Sequence, residues 1–344
     1  MKVLGIESTC DETSASIVID GKEVLCNVIA TQIKDHAPWA GVVPEIASRL
    51  HLIKIVPVIE EALKQAQLSL SDIDLVAASN RPGLIGGLMI GVSAAKSIAF
   101  TQGKPYIGIN HIEAHLYSPH LTCDIPFPYI GVLTSGGHTM FVIAKSYTEY
   151  EVIGTTIDDA VGEAFDKIAK HYGVGYPGGP IIEKLALTGD EKAFDFPIAN
   201  LYKNDREFDV SYSGIKTAVI NHLDKYKKAE SYTINDVAAS FQRRAFDILY
   251  KKVKLAVEKF DIHTVVVAGG VSANKYLRKS FDRLSALNCK VFFPELKYAT
   301  DNGAMVAGYA YHKYSIDGAD SLDSGVSPRV GGFKISLMPD YKRK

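Results

Sequence analysis

The chain has 344 residues, 47% of them apolar and 22% charged, a length and balance that predict about two packed domains at ~150 residues each. Lysine and arginine number 38 against 39 acidic residues, and a net charge of −1 excludes a histone-like binder of nucleic acid, so any such contact must come from a local patch. The longest weakly polar run, residues 84–95, ends at Lys96, well short of the ~20 residues that span a bilayer; Glu7 interrupts the opening apolar stretch, and the four cysteines form no Cys-x-x-Cys pair. These features predict a cytoplasmic protein without membrane span, secretory leader, disulfide framework or thiolate zinc site.

In chain order, residues 3–7 read as a strand, 8–13 as a polar turn, 14–19 as a strand, Asp20-Gly21 as a hairpin turn and 23–30 as a third strand. Asp-Gly carries that signal because both central residues of the favoured turn take positive φ. A helix over 43–67, a buried strand at 73–78, a helix at 87–102, a strand at 106–109 and a helix opening near His111 follow. The same order recurs about 126 residues on. Strands at 129–134, 139–145 and 150–154 precede a helix at 157–172; beyond an inserted Gly/Pro-rich and aspartate-rich stretch come a long helix at 236–260, a strand at 264–268, a helix at 274–287, a strand at 291–293 and a helix from Asp301. The repeat predicts two mixed α/β domains whose sheets are sandwiched by helices, with ligands beyond the strand ends in a cleft between the halves.

His111 and His115 stand four apart at the start of a predicted helix, which puts both imidazoles on one face within reach of a single metal ion. An arbitrary pair at this spacing is more often a solvated helix face. Here the duplication makes Thr300-Asp301-Asn302 the equivalent position of the second half, and symmetry would bring Asp301 to face the histidines. Two histidines and one carboxylate with open positions suit iron or zinc; as a helix N-cap, Asp301 would also need no metal to explain it. A metalloprotease needs its glutamate directly after the first histidine, whereas Glu113 comes two residues on, turned roughly 200° away.

Three turns carry a possible ligand cradle. Ser135-Gly136-Gly137-His138 leaves backbone N–H groups open to an anion. Its counterpart Ser8-Thr9-Cys10-Asp11-Glu12-Thr13 carries two carboxylates, and residues 268–274 follow a buried strand with Gly269-Gly270. A plain hairpin or strand-to-helix turn explains any one of them; together, the first two fit a phosphate clamp and the third would let a nucleotide base or ribose lie against the backbone. Thr156 and Asp159 stand in capping-box spacing before a helix whose Asp159, Glu163 and Asp166 align on one face, either a solvated face or partners for ribose hydroxyls. The rigid loop 176–180 lies close behind it. Basic residues cluster weakly at Lys225, Lys227 and Lys228, at Arg243 and Arg244, at Lys251, Lys252 and Lys254, and at Lys342-Arg343-Lys344; most read as solvated faces and a minority as phosphate contacts.

Across essentially the whole chain these segments resemble the tRNA adenosine threonylcarbamoyltransferases, formerly described as glycoprotein endopeptidases. The resemblance runs through residues 5–13 (GIESTCDET) and then HIEAH, SGGHT, GEAFDK, YPGGP, SYSGIKTA, GGVSAN and TDNGAM, with the opening closer to the bacterial and organellar branch. It implies two ribonuclease-H-like domains in an actin-like, sugar-kinase and heat-shock-ATPase arrangement around an interdomain cleft: residues 1–120 plus 305–344, and residues 121–304. Carried over by position, His111, His115 and Asp301 would hold one divalent metal, iron first and zinc as the alternative. Thr134, Ser135, Gly136, Gly137, His138, Asp166, Gly179, Glu183 and Asn274 would bind the donor, threonylcarbamoyl-adenylate. The acceptor would be the exocyclic amine of the adenosine 3′ of the anticodon in tRNAs that read A-starting codons, with Asp11 and Glu12 orienting or deprotonating it. Implied partners are tRNA, a shorter paralogue that dimerises with the chain, and a small P-loop ATPase. One departure is Asn80-Arg81-Pro82-Gly83, where the family usually has Gly-Pro-Gly. A phosphotransferase or ATPase of the same fold would carry an acid in each meander turn, where the second turn has His138; a nucleotide-binding regulator is a third reading.

Overall fold

The computed structural model describes residues 1–199, 201, 206–226, 233–330 and 334–335; Lys227, Lys228, Lys342, Arg343 and Lys344 lie outside the described residues. The chain divides into two compact units. The first holds Met1–Ile125, Ser146–Glu149 and residues 294–330; the second holds Pro126–Lys145, Tyr150–Phe293 and residues 334–335.

In the first unit β1 (Lys2–Glu7), β2 (Glu12–Ile19) and β3 (Glu23–Thr31) form the expected meander, turned at Asp20 and Gly21 with φ of 49° and 78°. Then come the short α1 (Ile33–His36), α2 (Pro44–Ala66), β4 (Leu75–Arg81), α3 (Ile85–Gln102), β5 (Tyr106–Asn110) and α4 (His111–Tyr117). The sheet runs β3-β2-β1-β4-β5, antiparallel through the meander and parallel from β1 to β5.

The second unit repeats that plan with β6 (Tyr129–Thr134), β7 (Thr139–Ala144), β8 (Tyr150–Thr155), α5 (Val161–Tyr172), α6 (Gly178–Ala186), α7 (Ser213–Tyr226), α8 (Ile234–Phe260), β9 (Thr264–Ala268), α9 (Lys275–Phe281) and β10 (Lys290–Phe292). Finally α10 (Gly303–Asp317) belongs to the first unit, and β11 (Lys334–Ile335) adds to β8. Its order, β10-β9-β6-β7-β8-β11, places a meander beside two parallel strands as in the first sheet. Phe165 of α5 stacks on Phe246 of α8 and meets Phe241 of the same helix at a tilt of 54°, in one cluster with Ile130 and Val132.

Alternation along β1 explains the first unit's layers. Val3 points into a cluster with Ala114, Tyr117, Ala304 and Ala307 from α4 and α10, while Leu4 and Ile6 pack with Ile55, Ile59, Val92 and Ala95 from α2 and α3. The structure departs from the sequence expectation at α5, which starts at Val161 rather than near residue 157. Asp158 is drawn off to accept the Tyr212 and Ser213 N–H groups, and Asp159 pairs with Lys167 and Lys216. Glu163, not Asp159, reaches back to the N-cap backbone. No helix of the described residues is long and apolar enough to cross a membrane.

Behind α4, Tyr117 stacks on His120 and Tyr147 stacks on His312. Burial pushes the pKa of both histidines down to about 4, helped at His120 by His312. Both rings are thus neutral in the fold at a pH where an unfolded histidine, with its ordinary pKa near 6.5, takes a proton. The unfolded state binds more protons in that window, so stability falls as pH drops from ~6.5 to ~4 and these two rings add no slope above it. Thermal unfolding across this range will show a shallower decline in a His120→Asn, His312→Asn chain than in the wild type.

Candidate functional site

The α4 helix opens directly off β5, capped by Asn110, whose side chain accepts the Ile112 N–H at 3.0 Å. The His111 and His115 rings stand on the same face with centroids 4.5 Å apart. Asp301 is presented by the start of α10, where Asn302 accepts the Met305 N–H at 3.1 Å and donates to the Thr300 and Tyr298 carbonyls at 2.7 and 3.2 Å. Close packing of α10 on β1 brings it to the histidines: a Cβ on Gly5 would lie 2.4 Å from the Ala307 nitrogen, and one on Gly303 would lie 2.7 Å from the Gly5 carbonyl oxygen. Asp301 Oδ1 is 3.0 Å from His115 Nε2 and 3.6 Å from His111 Nε2. All three residues belong to the first unit.

One nitrogen from each ring and one carboxylate oxygen lie within 4.8 Å of one another, a donor set that fits a divalent metal with positions left open. The other nitrogen of His111 is fixed by protein. Its Nδ1 donates to Glu7 Oε2 at 3.0 Å, and the Thr9 hydroxyl is 3.3 Å away. Burial opposes charge on His111, but Glu7 and Asp301 outweigh it and push the pKa up to about 9. Burial likewise opposes charge on Glu7, yet His111 and Ser79 hold its carboxyl below the usual range. At His115 burial, with His111 beside it, lowers the pKa, which keeps that ring in its neutral, ligating form.

The polar turn between β1 and β2 joins the same unit. His51 of α2 ties it down, with Nδ1 2.8 Å from the Thr13 hydroxyl and Nε2 2.9 Å from the Cys10 carbonyl. Burial, then Asp11 and Asp301, raise the pKa of Glu12 well above the ordinary carboxylate value. Glu113 turns the other way, accepting the Tyr309 hydroxyl at 2.6 Å. Arg81 lies opposite Asn110 at a bulge between β4 and β5 and donates to the Asn80 side chain.

The remaining predicted positions lie in the second unit, linked into one region. A Cβ on Gly269 would meet the Thr134 backbone at 2.5 Å, and one on Gly162 would meet the Ser135 carbonyl oxygen at 2.7 Å. Asp166 accepts the Gly178 N–H at 2.7 Å, beside Gly179, and Glu183 accepts the Lys275 N–H at 2.7 Å. Asn274 caps α9 through the Leu277 N–H and donates to Gln242, so its side chain has a structural task whatever else it binds. Within the glycine turn, the Ser135 N–H donates to the His138 carbonyl and the His138 N–H to the Ser135 hydroxyl. A Cβ on Gly136 or Gly137 would meet nothing within 4 Å, although the Gly136 backbone itself packs against Gly162.

Sequence reasoning passed over Glu7, Ser79 and His51. The signal for Glu7 was a carboxylate closing an otherwise apolar strand, which is costly to bury without partners.

The family model TsaD, tRNA N6-adenosine threonylcarbamoyltransferase, matches residues 23–308. Proteins bearing that name from Treponema denticola and Brachyspira hyodysenteriae are 48% and 52% identical to this chain, over 97% and 91% of it and 98% and 91% of their own lengths. Among solved structures, full-length HypF in a phosphate- and nucleotide-bound form is similar at a TM-score of 0.61 and 16% identity; the match covers 93% of this chain but 47% of HypF, and it shows a shared fold. With relatives that similar over nearly their full lengths, the chain belongs to the tRNA N6-adenosine threonylcarbamoyltransferase family.

Proposed function

We propose that this chain transfers the threonylcarbamoyl group of threonylcarbamoyl-adenylate to the exocyclic amine of the adenosine 3′ of the anticodon in tRNAs that read A-starting codons, releasing AMP. The observation that carries the reading is the convergence of His111, His115 and Asp301 in a chain of this family. We assign these three as the ligands of one divalent ion, iron or zinc, in an actin-like arrangement of two ribonuclease-H-like domains. When bound, such an ion supplies Lewis-acid polarisation to a carbonyl oxygen.

The protein's own residues would do the rest. Gly136 and Gly137 are the N–H donors of the turn that is not closed on itself, and they are the ones to hold the donor's phosphate as charge grows on the departing AMP. Thr134, Ser135 and His138 shape that turn, Asp166 holds the Gly178-Gly179 approach, and Glu183 with Asn274 fixes the start of α9 beside the nucleotide. Glu12, its affinity for a proton raised, is suited to take one from the incoming amine, with Asp11 orienting it. The purified chain incubated with tRNA, threonine, bicarbonate, ATP and its companion proteins, followed by mass spectrometry of the nucleosides, tests the reaction: omitting this chain removes the modified adenosine, whereas phosphate release without modification would support an ATPase.

We infer that affinity for tRNA is shared with partners, a shorter paralogue and a small P-loop ATPase, a reading with which near-neutral charge is compatible. Leu52, Ile53 and Val56 of α2 and Ile85 and Met89 of α3 are exposed on two helices packed side by side. Apolar side chains scattered singly need no explanation, but five on adjoining helices suit a protein partner. In this reading, Val56→Glu with Met89→Glu weakens binding of the paralogue by more than about tenfold in calorimetry, because each buried apolar anchor lost costs ~1–3 kcal/mol. Zn2+ binding by the same variant stays at the wild-type level.

A further inference from the structure

Glu7 is fully buried at the end of β1, and each of its oxygens is spoken for. Oε1 accepts the Thr9 N–H at 2.7 Å; Oε2 accepts the Ser79 hydroxyl at 2.6 Å and His111 Nδ1 at 3.0 Å. His115 has no counterpart: its ring is buried and its Nδ1 has no hydrogen-bond partner among the described residues. The two histidines are therefore unequal. His111 has a proton held at Nδ1 by a carboxylate, so that Nε2, on the Asp301 side, is the nitrogen that gives up its proton to a metal, whereas among the described residues His115 is held by packing and by its Nε2 contact.

Resting on the metal reading above, we propose that Glu7 is a positioning residue that fixes the metal-ligating tautomer of His111 and, through its other oxygen, ties the Thr9 turn to the metal centre. A carboxylate behind a ligating imidazole raises the ring's basicity and locks its orientation. The same side chain accepts the backbone of the turn that leads into Asp11 and Glu12, so occupancy at His111 and the geometry of that turn are coupled through one group.

Glu7→Gln tests this with almost no change of shape. The Thr9 N–H needs an acceptor, so the amide oxygen takes the place of Oε1 and the NH2 group faces Ser79 and His111 Nδ1. An amide donating to Nδ1 leaves the imidazole proton on Nε2, the atom that must ligate. If the amide flips instead, two N–H donors confront each other at Thr9. Either arrangement opposes metal binding.

The experiment strips the full-length chain of metal and titrates Zn2+ against a chromophoric chelator, with Co2+ absorption bands as a second readout and circular dichroism as the check on folding. Wild type binds one Zn2+ per chain, and Glu7→Gln, still folded, binds it about 10–100-fold more weakly with altered Co2+ bands. Affinity of a folded Glu7→Gln chain within about twofold of wild type overturns the positioning role and leaves the metal site standing. A wild-type chain that binds no Zn2+ overturns the metal reading and the proposal with it. Should Glu7→Gln fail to fold, Ser79→Ala decides: it keeps the carboxylate but frees one of its restraints, and affinity reduced about threefold or more in a folded chain supports the proposal, while unchanged affinity overturns it.

Discussion

A chain carrying His111→Ala together with His115→Ala is expected to bind no Zn2+ and to leave tRNA adenosine unmodified in the reconstituted reaction. Asp301 alone cannot replace two imidazoles: a lone carboxylate favours hard cations and water, whereas the three side chains together offer nitrogen as well as oxygen. The loss of activity should exceed the ~10–100-fold that removal of an outer-sphere partner costs. The variant also leaves Glu7, wholly buried, without His111 at 3.0 Å, and a buried charge stripped of its partner destabilises strongly. Circular dichroism and binding of the paralogue therefore accompany the metal and transfer measurements. Unchanged metal content and unchanged transfer in a folded double variant would remove the site assignment altogether.

What the sequence made legible follows from which interactions are local. Short, largely apolar runs at residues 3–7, 14–19 and 129–134 marked the strands, and Asp20-Gly21 marked its hairpin, because both signals lie within a few residues. The four-residue spacing of His111 and His115 was readable for the same reason, and their shared helix face stands in the structure. The helix Gly178–Ala186 was hidden because its opening Gly178-Gly179-Pro180 reads as a loop, although proline is tolerated in a first turn. The start of α5 was misplaced because Asp158 and Asp159 look like capping residues until residues 211–216, some fifty positions on, claim them. Glu7 was seen as an acid in an apolar strand, but its role depends on Ser79 and His111, on neighbouring elements distant in sequence. Pairings of that kind leave no periodic trace.

Gly5→Val should be strongly damaging although it alters no ligand, with loss of both stability and metal. Gly5 has an ordinary strand conformation; it is needed because nothing larger fits. Its Cβ would lie 2.4 Å from the Ala307 nitrogen, 2.5 Å from the Gly303 carbonyl oxygen and 2.7 Å from the Ala307 Cβ. Two of those atoms are helix backbone and cannot rotate away, so α10 as a whole must move off β1. Overpacking of this sort costs ~1–3 kcal/mol where side chains can adjust and more where they cannot, which lowers Tm by roughly 6 °C or more. Because Asn302 and Asp301 sit at the moving end of α10, Asp301 Oδ1 leaves its 3.0 Å contact with His115 Nε2, and Zn2+ affinity falls even though every ligand is present. Gly136→Ala supplies the contrast. Its Cβ would meet nothing within 4 Å, so Tm and Zn2+ affinity should match wild type, while the added methyl obstructs the open N–H groups of the turn and weakens binding of the adenylate donor. Differential scanning calorimetry, Zn2+ titration and donor binding on the two variants separate a glycine required by helix packing from one required by a ligand. Equal Tm for Gly5→Val and wild type would mean that α10 does not rest on β1 as closely as those distances require.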